Sequence, residues 1–560
     1  MNGTVKTINI KTGKTGKTGK KTVRNIIITV VFALVLYYFM LPPMNFQATQ
    51  MYTYFILVFA VYCVLTLLSI GGIKSDFTPA EGFRMIKKHC TVPGIIIAVL
   101  LAAVIIGGII SSVIFHPKAY SSLISVEKSD FASDVAEISF DQIPMLDSGS
   151  ANVLADRKLG ELSDLVSQFA VDDSTAQINY KDRPVRVTYL NYGDFFKWIN
   201  NRKSGLPAYI SIDMVSQEVS VVRTAEGMHY SPSELFFREV QRHLRLQYPT
   251  AMFTDVNFEV DEEGTPYWVA TVITKRIGLF GGEDAKGIVL MNAINGECNY
   301  YDVQDIPQWV DRVYTADLII KQYDYYGKYH NGFLNAFFGQ SDCTRTTDGY
   351  NYIAQDDDVW LYTGITSVVG DESNVGFILV NQRTKEAKYY SVAGAEEFSA
   401  MNSAQGAVQQ YKYSATFPLL LNIDGQPSYF MALKDASSLV KMYAMVNVQQ
   451  YQIVATGNTV AECESEYIRM LIQNKIIPDG SDTGPISDTE TVSGTISEIR
   501  SAVLDGTTYY YISLADEDGY YRVSAAECEI AVILNAGDKV TVEYARSDGK
   551  IQEAVSLTSP

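Results

Sequence analysis

Three uninterrupted apolar runs near the start of the chain constrain its fold more than any other feature. They cover about residues 25–41, 51–73 and 94–115, and none contains Asp, Glu, Lys or Arg. A helix needs roughly 20 residues to cross about 30 Å of hydrocarbon. The sequence therefore predicts three transmembrane helices at 25–115. A signal peptide is the alternative for the first run, although no small-residue cleavage site follows it.

The charges that flank these runs predict the orientation of the chain. Residues 1–115 carry eleven Lys and Arg but only two acids. Basic segments are retained in the cytoplasm, so the basic tail at 1–24 and the loop from Lys74 to Val92 are predicted to lie inside. Everything after His116 is then predicted to be extracytoplasmic. We expect a multi-pass protein of the cell membrane, with a cytoplasmic N-terminus and the lipid bilayer as one partner.

The remainder of the chain is strongly acidic. The formal net charge is −18, and residues 1–115 contribute +9, so residues 116–560 carry −27. A surface of this sign repels phosphate backbones, which excludes a nucleic-acid partner for the bulk of the chain. The hydrophobic share of 47% also excludes a disordered or collagen-like chain.

Internal repeats organise the predicted outer region. The residues after Trp268 match those after Trp360, and an Asn, a Glu, a Tyr-Tyr pair and a Val recur at identical spacing from Gly287 and from Gly376. A three-residue length difference around Phe280 separates the two copies. Fainter copies occur upstream and downstream. The sequence therefore predicts four units, at 116–230, 231–322, 323–394 and 395–477.

Each unit is predicted to be a helix followed by an antiparallel, mostly four-stranded sheet. The strand candidates are β-branched and aromatic, and the Asn- and Gly-containing segments between them suit tight hairpins. Ser231-Pro232-Ser233-Glu234 has the spacing of a capping box with Pro at the first helical position, which predicts a helix from there to Pro249. Residues 395–412 are predicted to form the helix before the fourth unit.

This pattern resembles the PepSY domain of bacterial extracytoplasmic proteins, most clearly over 231–303. Asn292-Ala-Ile-Asn-Gly296-Glu297 stands where that family has an Asp-x-x-Thr-Gly-Glu hairpin. The chain departs from the family by having Asn for Asp and by lacking the full Thr-Gly-Glu. The resemblance implies a cystatin-like module that binds or inhibits rather than catalyses. The whole chain is also similar to membrane proteins of Gram-positive bacteria sometimes labelled colicin V production-like, a resemblance that implies no activity.

The end of the chain is predicted to be a separate barrel. Residues 478–491 form a polar linker rich in Pro, Gly and Ser, and five strand candidates with a short helical insertion follow at 492–560. This arrangement resembles an OB-fold. Five basic against eleven acidic residues from Val492 onward favour an interaction or structural barrel over a nucleic-acid reader. The predicted fold class is therefore α+β: three transmembrane helices, tandem helix-plus-sheet repeats and a small C-terminal β-barrel.

Four side chains on the predicted helix after Ser231 are the candidate site residues: Arg238, Arg242, His243 and Arg245. They predict either a solvated basic helix end that complements the helix dipole or a patch for an anionic polymer or a partner's acidic groups. No catalytic residue, metal ligand or cofactor is predicted, because no His has a second His or Cys at ligand spacing and no nucleophile motif occurs.

The remaining polar features predict structural roles. Acidic clusters at Asp261–Glu263, Asp356–Asp358 and Asp516–Asp518 are predicted to be solvated hairpin turns, with calcium as the alternative. The sequence does not choose among disulfide pairings for the four outer cysteines, which would also suit free thiols: Cys298, Cys343, Cys463 and Cys528.

The function expected from these features is a non-catalytic, membrane-anchored binding, regulatory or scaffold protein of the cell envelope. Its partner would be another envelope protein, bound through sheet edges or helix faces. One alternative is an envelope hydrolase acting on cell-wall polymer or peptide, with carboxylates that only folding brings together. The other is an accessory subunit of a transporter, acting through the three spans.

Overall fold

A computed structural model describes residues 14–71, 79–135, 143–355, 358–368, 373–478, 489–504, 507–515, 517, 519–524, 528–545 and 550–558. The chain divides into two units, which we describe separately. The first contains Met1–Lys441 and Val446–Gln452, and the second contains Met442–Met445 and Ile453–Pro560. The structure is a mixture of helices and several antiparallel sheets.

Three long apolar helices open the first unit: α1 (Lys14–Met40), α2 (Thr49–Gly71) and α3 (Pro79–Ile110). Each contains an apolar stretch of 21 to 25 residues, long and apolar enough to cross a membrane. Most large apolar side chains on α1 and α3 are exposed, as lipid-facing side chains would be.

The start of the third helix differs from the prediction. The loop predicted from Lys74 to Val92 is helical from Pro79 onward, and residues 72–78 lie outside the described residues. Lys87 and Lys88 therefore lie on α3, and Pro93 lies inside it. The prediction was wrong because an apolar run marks only the membrane-spanning part of a helix, whereas helical hydrogen bonding continues into charged sequence. A proline inside such a helix is tolerated where neighbouring groups satisfy the freed backbone carbonyl.

The first sheet is antiparallel and is preceded by short helices. Its strands lie in the order β2-β4-β5-β6, and β3 pairs with the same edge of β4 as β2 does. The elements in this part of the chain are α4 (Pro117–Ser121), β1 (Val126–Ser129), α5 (Phe131–Asp134), α6 (Ser148–Gly160), α7 (Ser163–Val166), β2 (Phe169–Val171), β3 (Ala176–Tyr180), β4 (Arg183–Tyr192), α8 (Phe195–Asn201), β5 (Leu206–Asp213) and β6 (Val219–Met228).

The second sheet has the order β10-β9-β8-β7 and is also antiparallel. Its apolar face packs against the first sheet in one core that includes Tyr209, Phe258 and Trp268. The elements are α9 (Val240–Gln247), β7 (Met252–Val260), β8 (Pro266–Ile277), β9 (Gly281–Asn292) and β10 (Cys298–Asp302).

The helix before this sheet begins later than predicted. Its N-cap is Glu239, whose carboxylate accepts hydrogen bonds from the backbone N–H groups of Gln241 and Arg242, both at 3.0 Å. The predicted cap at Ser231 was therefore wrong. The reason is tertiary: Glu234 is buried and accepts hydrogen bonds from Tyr192 Oη at 2.8 Å and from the Trp198 indole N–H at 2.9 Å, so it does not cap a helix.

The third sheet has the order β1-β15-β14-β13-β11, with β12 also on β13 and β16 on β14. Its one parallel pair joins β1, from early in the chain, to β15. The helix α10 crosses the unit boundary predicted between residues 322 and 323. The elements are α10 (Ala316–Tyr329), β11 (Thr344–Thr346), β12 (Asn351–Gln355), β13 (Asp358–Ser367), β14 (Ser373–Asn381), β15 (Ala387–Tyr390) and β16 (Gly394–Ala395).

A fourth sheet completes the first unit, with β17 and β18 both paired to β19. The helix predicted at 395–412 is present but shorter, and Lys412 has a left-handed φ of 57° that ends the following turn. The elements are α11 (Glu397–Ala407), β17 (Ser414–Ala415), β18 (Leu419–Ile423), β19 (Gln426–Lys434) and β20 (Val440–Asn447), of which residues 442–445 belong to the second unit.

The second unit contains a closed barrel with the strand order β22-β23-β24-β26-β25. Its core includes Ile512, Val523 and Val542. The helix that precedes the barrel has a capping box formed by Thr459 and Glu462. The elements are β21 (Val454–Gly457), α12 (Val460–Gln473), β22 (Thr489–Leu504), β23 (Thr507–Leu514), β24 (Tyr520–Ser524), β25 (Lys539–Ala545) and β26 (Ile551–Thr558).

One hydrogen-bond pattern recurs at four turns of the first unit. In each, an Asp or Asn side-chain oxygen accepts from the backbone N–H groups two and three residues later, which fixes a tight turn. In each, the N–H of the next residue also donates to a carbonyl near the start of an earlier strand: Met214 to Pro184, Ala293 to Pro266, Gln382 to Val359 and Val448 to Pro427. The turn residues are Asp213, Asn292, Asn381 and Asn447.

Candidate functional site

The C-terminal end of α3 binds the tip of the β8–β9 hairpin. Ser111 Oγ accepts hydrogen bonds from the backbone N–H groups of Leu279 at 2.8 Å and Phe280 at 2.9 Å. The Phe280 ring meets Tyr52 of α2 edge-to-face, with ring centroids 5.6 Å apart. A Cβ on Gly107 would lie 2.4 Å from the Phe280 ring, so α3 needs glycine at this close approach. The hairpin tip is thereby held by two of the three apolar helices.

The loop between α1 and α2 binds the same sheet. The Gln47 side chain donates to the carbonyl of Lys275 at 2.9 Å and accepts from its N–H at 3.2 Å. Asn45 Nδ2 donates to the carbonyl of Thr250 at 3.0 Å, and the Met44 N–H donates to the carbonyl of Pro249 at 2.8 Å. The loop between α1 and α2 therefore holds the second sheet at β8 and just before β7.

Two of the predicted site residues join α9 to the end of α1. Arg245 is buried, and its guanidinium donates to the carbonyl of Leu41 at 2.9 Å and to that of Ala251. The Arg242 guanidinium lies 4.2 Å from the centroid of the Tyr38 ring and donates to the carbonyl of Phe236 at 2.6 Å. Burial lowers the pKa of Arg245 from its usual value, yet the group keeps its hydrogen bonds to carbonyls.

The other two predicted site residues lie elsewhere on the same surface. A ring nitrogen of His243, Nε2, is 2.9 Å from the carbonyl oxygen of Gly296, and the ring packs on Tyr230 at 4.5 Å. Arg238 is exposed and donates to the carbonyl of Arg202 at 2.9 Å. The four side chains thus do not share one open face, because Arg242 and Arg245 bind backbone and aromatic groups of their own chain. An anionic partner remains a prediction that concerns Arg238 most directly.

A groove of about 440 Å³ lies between the first sheet and the turn that joins β7 to β8. Its floor includes Tyr180, Tyr209 and Val222. The Tyr209 hydroxyl donates to the carbonyl of Gly264 at 3.1 Å, and burial raises its pKa to about 12, so it stays protonated at neutral pH. The residues that line one side of the groove, 222–225, belong to β6, the last strand in the order of the first sheet.

The turn beside this groove carries the first predicted acidic cluster. Asp261 Oδ1 accepts from the N–H groups of Glu263 at 3.1 Å and Thr265 at 2.7 Å, as an acid that shapes a turn does. Here the predicted turn is present. The clusters at 356–358 and 516–518 lie partly outside the described residues.

Asp358 differs from the prediction of a solvated turn. It is buried on β13 and accepts two hydrogen bonds from the Arg383 guanidinium, at 2.6 and 2.8 Å, and one from Asn381 at 2.7 Å. The prediction was wrong here because Arg383, which neutralises the carboxylate, is 25 residues away in the sequence. A paired carboxylate of this kind stabilises a turn of the next hairpin.

Two carboxyl groups are buried together in the first unit. Glu259 Oε2 accepts from the Asp311 N–H at 3.0 Å, and Asp311 Oδ2 accepts from the Asn179 N–H at 2.7 Å. Their exposures are 0% and 1%. Desolvation raises the pKa of both groups, that of Glu259 to about 7. The pair can hold a proton near neutral pH, but a substrate would not reach it, since neither side chain opens to solvent.

The cysteines and acidic residues form no cross-link or metal cluster in the described part of the chain. All six cysteines are free thiols, and burial raises the pKa of Cys298 to about 11. Among the described residues, no three His, Cys, Asp or Glu side chains are grouped as metal ligands.

Comparisons with known proteins place this site in no family. No family model matches the chain, and no curated protein matches it. Among solved structures, the chain is similar to MPT-1, a GDP-Man-dependent mannosyltransferase from Leishmania mexicana, at 10% identity and a TM-score of 0.14. The match covers 65% of this chain and 92% of that chain, and a TM-score this low carries no argument.

Sequence reasoning missed the residues that join the helices to the second sheet. Ser111 and Gln47 belong to no motif, and their partners lie more than 160 residues away. One sequence feature did indicate where α3 contacts the second sheet. The three extra residues around Phe280, which distinguish the segment after Trp268 from the similar segment after Trp360, lie at the tip that α3 binds.

Proposed function

We propose that this protein is a non-catalytic, membrane-anchored binding or scaffold protein of the cell envelope, and that its groove beside β6 binds an extended segment of another envelope protein. The observation that carries the proposal is the groove itself. It combines a terminal sheet strand with apolar and tyrosine side chains in a volume of about 440 Å³. Ligand sites are typically concave and mostly apolar, with a few fixed polar groups.

The binding mode that fits this groove is strand addition. β6 pairs with β5 on one side and is the last strand of its sheet. An added strand would gain main-chain hydrogen bonds along β6, while alternate side chains would enter the groove past Val222 and Thr224. Tyr209 and the carbonyls of the β7–β8 turn would supply the polar contacts that select the segment.

The architecture that we propose for this function has four α+β repeats of PepSY-like kind and an OB-like C-terminal barrel. The recurrent turn pattern at four hairpins supports the repeats, and the closed five-stranded barrel supports the second assignment. The N-terminus would be cytoplasmic and the residues after His116 extracytoplasmic, as the flanking charges predict. The acidic surface argues for a protein rather than a nucleic-acid partner.

Two other functions compete with this proposal. An envelope hydrolase would need carboxylates in an open cleft, whereas the neighbouring carboxyl groups of Glu259 and Asp311 are buried. An accessory subunit of a transporter would act through the spans, where Asn25 and Ser69 hydrogen-bond between α1 and α2.

The test is photo-crosslinking of the full-length protein in living cells. A photoreactive amino acid replaces Thr224, which lines the groove, and in a matched variant Ser220, which is exposed on the same strand but does not line it. We expect the photoreactive residue at position 224 to form a single adduct with an envelope protein. The same adduct should be weak or absent when the photoreactive residue is at position 220. Val222→Arg, which fills the groove, should abolish the adduct. Equal labelling from both positions, or an adduct that persists with Val222→Arg, would refute the groove as the binding site.

A further inference from the structure

A cluster of four exposed phenylalanines covers one surface of the first unit. We call it the aromatic platform: Phe195 and Phe196 on α8, and Phe236 and Phe237 in the turn before α9. Their exposures lie between 57% and 74%. Trp198 connects the two pairs, with its ring stacked on Phe195 at 5.7 Å and tilted against Phe236 at 6.2 Å. Exposed apolar clusters of this kind mark interaction surfaces.

The backbone of the platform is strained at Phe236. Phe236 has a φ of 57°, in the left-handed region that a bulky side chain rarely adopts. Strain of this kind persists only where the surrounding structure enforces it. Arg242 contributes here by donating to the Phe236 carbonyl at 2.6 Å.

Basic side chains surround the platform. Lys197, Arg202, Lys203 and Arg238 lie on or next to the same two segments, and the Arg202 guanidinium is 5.4 Å from the centroid of the Trp198 ring. The acids of these segments are engaged within the protein: Asp194 pairs with Lys197 at 3.5 Å, Glu239 pairs with Arg242 at 3.6 Å, and Glu234 is buried. This local excess of positive charge contrasts with the net charge of −27 that follows from the composition of residues 116–560. The combination of aromatic and basic groups suits the headgroup region of an anionic bilayer.

The platform is continuous with the end of an apolar helix. Arg242 joins Phe236 to Tyr38, which lies in the last turn of α1, and Tyr38 contacts Phe39 edge-to-face at 5.2 Å. Phe39 is 75% exposed on α1, where the lipid would be. The platform is therefore held at the level of the outer end of this helix.

A second group of exposed aromatic side chains, Phe337 and Phe338, is linked to the segment after α3 through a series of ring contacts. Tyr120, which donates to the Ser111 carbonyl at 2.5 Å, packs on Tyr325 of α10 at 4.7 Å. From Tyr325 a series of ring contacts leads to Phe337. Phe337 and Phe338, on the helical turn after α10, are 68% and 80% exposed.

We infer that the sheets of the first unit lie on the outer surface of the membrane, with the aromatic platform inserted into the headgroup region of an anionic bilayer and Phe337 and Phe338 as a second contact. The inference rests on the proposed membrane anchoring and is independent of the groove beside β6. The surface that contacts the platform is the bilayer that surrounds α1 and α3. The Lys and Arg side chains around the platform bind acidic headgroups, while the phenyl rings leave water.

The test uses full-length protein in nanodiscs of phosphatidylcholine and phosphatidylglycerol whose acyl chains are brominated. Phe237→Trp reports the platform, Phe338→Trp reports the second contact, and Tyr411→Trp is the control, because Tyr411 is similarly exposed at 54% on the turn after α11. After subtraction of the wild-type emission, we expect the Trp at 237 to be quenched at least about threefold more than the Trp at 411. The doubly substituted Arg202→Glu, Arg238→Glu protein should lose most of this difference.

Quenching of the Trp at 237 that is no greater than quenching of the Trp at 411 would overturn the inference. Quenching at 237 that is equally strong in discs without phosphatidylglycerol would overturn the requirement for an anionic bilayer. Strong quenching at 338 with none at 237 would overturn the platform as a lipid contact. If the protein enters the discs but the Trp at 237 is not quenched, the proposed membrane anchoring and the proposed groove are unaffected. A chain that fails to enter the discs refutes the anchoring itself.

Discussion

Replacing Ser111 by Ala should loosen the hairpin that the helices hold. Ser111 Oγ accepts two backbone hydrogen bonds, from Leu279 and Phe280, and Ser111 is 5% exposed. A buried donor left without a partner costs about 1–3 kcal/mol. Because Leu279 and Phe280 are only half-buried, we take the lower end for each bond, which gives about 2 kcal/mol for local opening of the tip.

Amide hydrogen exchange in the full-length protein in nanodiscs measures this effect. Each 1.4 kcal/mol changes an equilibrium constant tenfold, so a loss of about 2 kcal/mol predicts exchange about 30-fold faster at Leu279 and Phe280. Ser112→Ala is the matched control. Ser112 Oγ accepts one exposed, longer bond from the Ile114 N–H, at 3.2 Å, and its loss should accelerate exchange at the tip by less than about threefold.

The reasoning fails if the amides of residues 278–281 exchange at the same rate in the Ser111→Ala and Ser112→Ala proteins. It also fails if exchange accelerates equally throughout the second sheet, since that would indicate global destabilisation. Exchange on β10 therefore serves as the internal reference within each variant.

Three further predictions follow from the same structure. Arg245→Met removes the hydrogen bonds to carbonyls at the end of α1 and should lower the free energy of unfolding by about 3 kcal/mol, whereas Arg238→Met, at an exposed position, should change it by less than about 0.5 kcal/mol in denaturant titration. Gly281→Ala places a Cβ 2.1 Å from Tyr120 Oη and should lower the melting temperature of the reconstituted protein, with a cost of about 1–3 kcal/mol, while Gly108→Ala, which meets nothing within 4 Å, should leave it unchanged. Burial raises the pKa of Glu259 to about 7, so the folded state holds this proton more tightly than the unfolded state, and the free energy of unfolding should fall as pH rises from about 4.5 to 7. Glu259→Gln should flatten that part of the curve, and a slope equal to wild type would contradict the assignment.

Local features of this fold could be predicted from sequence because they depend on neighbouring residues. The three apolar helices follow from run length alone, and the hairpins at Asn292 and Asn381 follow from residues whose side chains bond to their own turn. The orientation of the helices, the repeat assignment and the binding function stay predictions.

The features that sequence reasoning did not find depend on distant partners. Glu234 has a capping spacing but binds Tyr192 and Trp198, about 40 residues earlier. Asp358 is in an acidic run but pairs with Arg383, and Arg245 is in a basic helix but binds Leu41. In each case the residue type suggested an exposed side chain. The side chain is instead bound to a partner that only folding brings close.

The parallel pairing of β1 with β15 has a consequence for how the chain matures. Val126 pairs with Ala387 and Ser129 with Tyr390, so β1 has no partner on this side until residues 130–386 have been synthesised and β15 follows. Pairings of such sequence separation form late, because a long loop must close first. A nascent chain stalled before residue 387 would leave β1 without its parallel partner. We therefore expect the third sheet to be completed only late in synthesis, whereas the units of a solenoid can form one after another along the chain.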